Sequence, residues 1–139
     1  MDIATLMFIA HRAMDERVIR AIRAEGLNVT VVQARIAQRI APGGSRLGDL
    51  AEQAQVTKQT ASVLVAALEH EGLVQRVPDP ADGRARLIRF TRKGLAASNR
   101  AREVVRVVEQ EWEEHLGPDL AASLREALTK LREVTDPYR

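Results

Sequence analysis

The 139-residue chain contains no cysteine. That excludes disulfides, thiolate metal sites, iron–sulfur clusters and thiol redox sensing, and it fits a reducing compartment. Aromatic residues make up only 3% of the chain, with one Trp, one Tyr and two Phe. Base-stacking platforms for single-stranded nucleic acid need more than this. No long hydrophobic run is present. The stretch Ala4–Ala10 falls far short of the roughly 20 residues that span a bilayer. No basic segment precedes it, so a secretory leader is not expected. The expectation is a cytoplasmic protein without membrane association. Charge of one sign is also lacking: 21 basic and 19 acidic side chains leave a net charge of +2.

What is present is a packed-domain composition, 45% hydrophobic and 29% charged, and the length argues for one domain, or one domain plus an oligomerisation element. The charge is unevenly placed. Residues 74–93 hold Arg76, Arg84, Arg86, Arg89, Arg92 and Lys93 against Asp79 and Asp82. Residues 103–114 hold Glu103, Glu109, Glu111, Glu113 and Glu114 against Arg106.

Apolar spacing predicts a helix from Asp2 to about Ala24, with Ile3, Leu6, Met7, Ala10, Met14, Val18 and Ala21 on one stripe and Gly26 closing it. A second helix is predicted from Thr30 to Ile40, ended by Pro42-Gly43-Gly44. Ser45 is the expected N-cap of a short helix 46–53, and Thr57 that of a helix 58–71 ended by Gly72. Leu73–Val77 and Arg84–Thr91 flank the turn-rich 78–83 and predict a β-hairpin. Helices are expected over 92–116 and from Pro118 to about Asp136, broken at Gly117.

This order is a helix-turn-helix followed by a hairpin wing, inside a mainly α fold. A helix of roughly 14 residues fits the DNA major groove. A stiff hairpin tipped with arginine suits the neighbouring minor groove. On the helix 58–71 the apolar stripe Ala61, Leu64, Val65 and Leu68 leaves Gln59, Ser62, Val63 and Ala66 outward. Gln59 is the best base reader, since its amide matches adenine, while Val63 and Ala66 match thymine methyls. Thr57, Lys58 and Thr60 occupy the first turn, where free amides favour phosphate. Further phosphate contacts are expected from Ser45 and Arg76, and further groove contacts from Ser62, Arg84 and Arg86.

Leu50-Ala51-Glu52, Val56-Thr57-Lys58-Gln59-Thr60-Ala61-Ser62 and Gly72-Leu73-Val74-Gln75-Arg76 resemble the helix-turn-helix of the MarR (multiple antibiotic resistance regulator) family. Asp79-Pro80-Ala81-Asp82-Gly83-Arg84-Ala85-Arg86 and the following Thr91-Arg92-Lys93-Gly94 resemble its wing and next helix. The resemblance spans about residues 30–95. It implies a winged-helix homodimer on double-stranded DNA that represses or activates transcription and is often released by a small-molecule effector; of the two, a ligand-responsive repressor is the expectation. It also implies that Arg84 enters the minor groove with Asp82 holding it. The outer segments, 1–28 and 93–139, are then dimerisation helices around a DNA-binding domain 29–92. Their apolar stripes over 3–21, 97–112 and 120–134 exceed what a small winged-helix core covers. The chain departs from the family at Val63 and Ala67, where relatives often carry Arg, which implies modest base readout. That departure keeps a rival open: a winged-helix module for a protein or effector.

No enzyme constellation stands out, and no cofactor is implied. His11, His70 and His115 have no metal-ligand spacing. Ser45, Ser62, Ser98 and Ser123 have no Gly-x-Ser-x-Gly context. His11, near the expected junction of the dimer helices and the wing unit, is a candidate for lining an effector cleft.

Overall fold

The computed structural model describes residues 1–138. Six helices and one hairpin follow the predicted order: α1 (Ile3–Ala24), α2 (Val31–Ala37), α3 (Leu47–Gln53), α4 (Lys58–His70), β1 (Val74–Asp79), β2 (Asp82–Phe90), α5 (Arg92–Leu116) and α6 (Pro118–Thr135). The capping chemistry explains most boundaries. Asp2 accepts the Thr5 amide at 2.7 Å to start α1. Thr30 and Gln33 form a reciprocal capping box at α2. Thr91 caps α5 by accepting the Gly94 amide at 3.0 Å, and its hydroxyl donates to the Gly72 carbonyl at 2.6 Å. Gly72 follows α4 at φ +74, where a side chain would be strained.

Three expectations about local structure require correction. The second helix stops at Ala37 instead of Ile40. Its end tightens into three-residue bonds, Arg39 amide to Ile36 carbonyl and Ile40 amide to Ala37 carbonyl. That tightening leaves Ile40 buried. Ser45 does not cap α3. Its backbone pairs with Ile88 in both directions, at 2.9 and 2.8 Å, and forms a third edge on the hairpin. Its hydroxyl accepts the Ala41 amide at 2.9 Å, so Arg46 becomes the boundary residue. The hairpin turn is also tighter than 78–83. Pro78 pairs with Arg86 and Asp79 with Asp82, with the register slipping between Pro78 and Asp79. Pro78 thus lies inside a strand, at the irregularity where proline is tolerated.

The unexpected run Leu87-Ile88 follows from the third edge. Ile88 is fully buried in the helical core. Leu87 lies against Gly44, whose chain runs so close that an added Cβ would stand 3.1 Å from the Leu87 Cβ. Both faces of the hairpin base are therefore occupied.

A single core joins the elements. Ile36, Leu50, Val65, Leu68, Ile88 and Val108 are fully buried. Burying each such side chain contributes about 1.5–3 kcal/mol. Val18, Ile19 and Ile22 of α1 share this core with Val104 and Val108 of α5. The stripe over 97–112 is consequently covered by its own chain, against the expectation that it was surplus. Ala97, Ala101, Val105 and Trp112 pack on the same core. The surplus is confined to the first half of α1 and to α6, which buries no residue.

Candidate nucleic-acid interface

Helix α4 presents the face that its stripe dictates. Ala61, Val65 and Leu68 are buried, while Lys58, Gln59, Thr60, Val63 and Ala66 are exposed and Ser62 is half-buried. The first turn is held by Thr57, whose Oγ1 accepts the Thr60 amide at 3.0 Å and donates to Thr60 Oγ1 at 2.9 Å. The Thr57 hydroxyl is thereby spent on the cap. Lys58 makes no ion pair among the described residues and stays free at the positive end of the helix.

The wing splits the expected basic residues into two groups. Arg84 and Arg86 are exposed and form no ion pair among the described residues. Asp82 accepts the backbone amide of Arg84 at 3.0 Å, so it fixes the tip and leaves the guanidinium free. Arg76 behaves differently. Its Nε donates to Glu69 Oε1 at 2.9 Å, tying β1 to α4, and it is a poor source of phosphate binding in this arrangement.

Sequence reasoning missed the contact that anchors the wing. Arg46 Nε and Nη2 both donate to Asp79 Oδ2, at 3.0 and 2.7 Å. The other oxygen accepts the Ala81 amide at 2.9 Å. Asp79 is 8% exposed, the one buried charged residue among those described. The Ala81 amide and the Arg46 guanidinium hold its carboxyl below the usual carboxylate range, and Asp79 raises Arg46 in return. Because the folded carboxyl titrates below its unfolded counterpart, its contribution is whole above the ordinary carboxylate range. It fades as pH falls through the lowered folded value. In acid titrations followed by circular dichroism, Arg46→Ala is expected to lose less stability at low pH than the parent. Superimposable relative profiles would contradict this anchoring role. The partners lie 33 positions apart, and nothing in their spacing signals the pair.

A model of the MarR family matches residues 25–85, from the end of α1 into the wing. Over that stretch the chain is similar to the MarR family. The transcriptional activatory protein BadR of Rhodopseudomonas palustris is 35% identical over 77 residues, covering 54% of this chain and 44% of BadR. The match therefore spans less than half of that relative. Among solved structures, the transcriptional regulator Tm0710 of Thermotoga maritima is 28% identical, with a TM-score of 0.65 over 94% of this chain and 92% of that one. A mutant MarR from E. coli complexed with operator DNA is 22% identical, with a TM-score of 0.71 over 92% and 91% of the two chains.

Two further features flank the helix-turn-helix and its wing. The first is the bare apolar surface: Ile3, Leu6, Met7 and Phe8 on α1 are exposed, as are Leu120, Leu124, Leu128 and Leu131 on α6. An open groove of about 650 Å³ runs between α5 and α6, lined by Trp112, Leu116, Leu124 and Leu128. The second is a cleft of about 380 Å³ where α1, α2 and α5 meet the wing base. Met14, Val18, Val31, Ile40 and Phe90 supply its apolar lining. His11 is among its lining residues. The imidazole is 3.4 Å from Asp15, which also accepts from Arg35 at 3.2 Å. No helix is long and apolar enough to cross a membrane, and no group of three or more His, Asp or Glu is placed to hold a metal among the described residues.

Proposed function

We propose that two copies of this chain bind double-stranded operator DNA and regulate transcription. The observation that carries this reading is the completed core that leaves both the outward face of α4 and the arginine tip of the wing open to solvent. In this reading residues 29–92 form the DNA-reading unit. Residues 1–28 and 93–139 pair the two copies.

Lys58 binds phosphate at the start of α4. Gln59, Ser62 and Val63 face base edges, and Arg84 and Arg86 reach the minor groove. The bare faces of α1 and α6 supply the dimer contact. An unpartnered apolar surface of that extent is a mark of association. A two-fold pair sets the reading helices about one DNA turn apart, roughly 34–36 Å. The operator-bound likeness of E. coli MarR supports the same docking.

Occupancy of an operator by such a dimer blocks transcription, and a ligand in the α1–α2–α5 cleft releases it. That cleft lies between the pairing helices and the reading unit, and its volume suits a small organic molecule. A ligand that prefers a different helix spacing shifts the protein away from the DNA-competent arrangement.

Selection from random duplexes at two salt concentrations tests the reading. An enriched palindrome is expected. With the enriched duplex, Lys58→Ala is expected to lower the slope of log affinity against log salt by about 1, the loss of one phosphate contact. No enrichment at either salt concentration contradicts the proposal and favours a protein- or effector-binding module.

A further inference from the structure

We propose that Val63 reads the 5-methyl group of thymine in the major groove, so that the operator is built of A·T pairs where α4 lies. The inference rests on the DNA-binding reading above. Val63 is 66% exposed, and among the described residues of α3, α4 and the hairpin it is the one large apolar side chain left in water. Gln59 lies one helical turn before it and Ala66 three residues after it, both exposed, with half-buried Ser62 beside them. These spacings put all four on one face.

The major groove displays one apolar group, the thymine methyl, and an isopropyl side chain is its natural partner. Gln59 complements it, because a carboxamide donates to adenine N7 and accepts from N6 at once. Guanine is the base this face grips least. Its best partners are Arg and Lys, and α4 carries only Lys58, at its first residue. The same reading unit favours a polyanion over a protein as occupant. Lys58, Arg84, Arg86 and Arg89 make no ion pair among the described residues, so its apolar spot is accompanied by free cations.

The test uses the full-length protein and the duplex enriched from the random pool. Each thymine of the half-sites is replaced in turn by deoxyuridine, which removes the methyl and keeps the base pair. Binding is read by fluorescence anisotropy. Affinity is expected to fall about fourfold at one or two positions per half-site, the effect of one buried methyl-sized group. Val63→Ala, at an exposed site, is expected to bind the thymine and uracil duplexes alike. Equal affinity at every position for the parent overturns the inference, as does a uracil effect that survives undiminished in Val63→Ala. A pool that yields no bound duplex overturns the DNA-binding reading as well, and is recognised by that alone.

Discussion

Gly94→Ala is expected to cost about 3 kcal/mol of folding stability, at the upper end of what overpacking does. Gly94 is buried in the first turn of α5. An added Cβ would fall within the carbonyl group of Leu73, meeting its oxygen and carbon and lying close to its Cα. The obstacle is backbone and not the tip of a flexible side chain, so α5 must retreat. Retreat breaks the Thr91 amide bond to the Leu73 carbonyl at 3.0 Å and the Thr91 hydroxyl bond to the Gly72 carbonyl at 2.6 Å.

Intrinsic helix propensity predicts the reverse sign, since alanine is favoured over glycine by about 1 kcal/mol inside a helix. Gly48→Ala supplies the control. Gly48 lies in α3 with open space where its Cβ would stand, and that variant is expected to gain up to about 1 kcal/mol. Urea unfolding at one fixed protein concentration checks both, the fixed concentration being needed for an associating chain. A Gly94→Ala protein as stable as the parent would contradict the close approach of α5 to the 72–73 turn.

Arg84→Ala is expected to weaken binding to the selected duplex by about 1–3 kcal/mol, or roughly five- to 150-fold. Its side chain is exposed and makes no hydrogen bond or ion pair among the described residues, so stability is expected to stay within about 0.5 kcal/mol of the parent. Arg76→Ala is the contrasting variant. Arg76 is bound to Glu69 across the base of the wing. Its loss is expected to lower the unfolding midpoint while leaving the salt slope of DNA binding unchanged. Titrations at fixed salt, paired with thermal melts, separate the two behaviours. Unchanged affinity for Arg84→Ala would remove the wing tip from the mechanism.

Local signals made most of the architecture legible in the sequence. The cap Thr57, the glycine after α4 and the break at Gly117 act within a few residues of themselves. So do the apolar stripes that orient α4. The outward set Gln59, Ser62, Val63 and Ala66 followed directly from the inward one. The illegible parts depend on distant chain segments. Ser45 has the chemistry of a cap, yet the unpaired edge of β2 claims its backbone at Ile88. Arg76 resembles its basic neighbours until Glu69, seven residues earlier, is seen to neutralise it. Arg46 and Asp79 meet only because the wing folds back on the start of α3. The stripe over 97–112 looked surplus because α1, which covers part of it, is separated from it by the entire helix-turn-helix and wing.

Hydroxyl-radical footprinting of the selected duplex tests the central claim most directly. Two protected patches are expected on one side of the helix, centred about one turn apart, with protected minor groove beside each where Arg84 lies. A single short patch, or two patches on opposite sides of the duplex, would contradict the account.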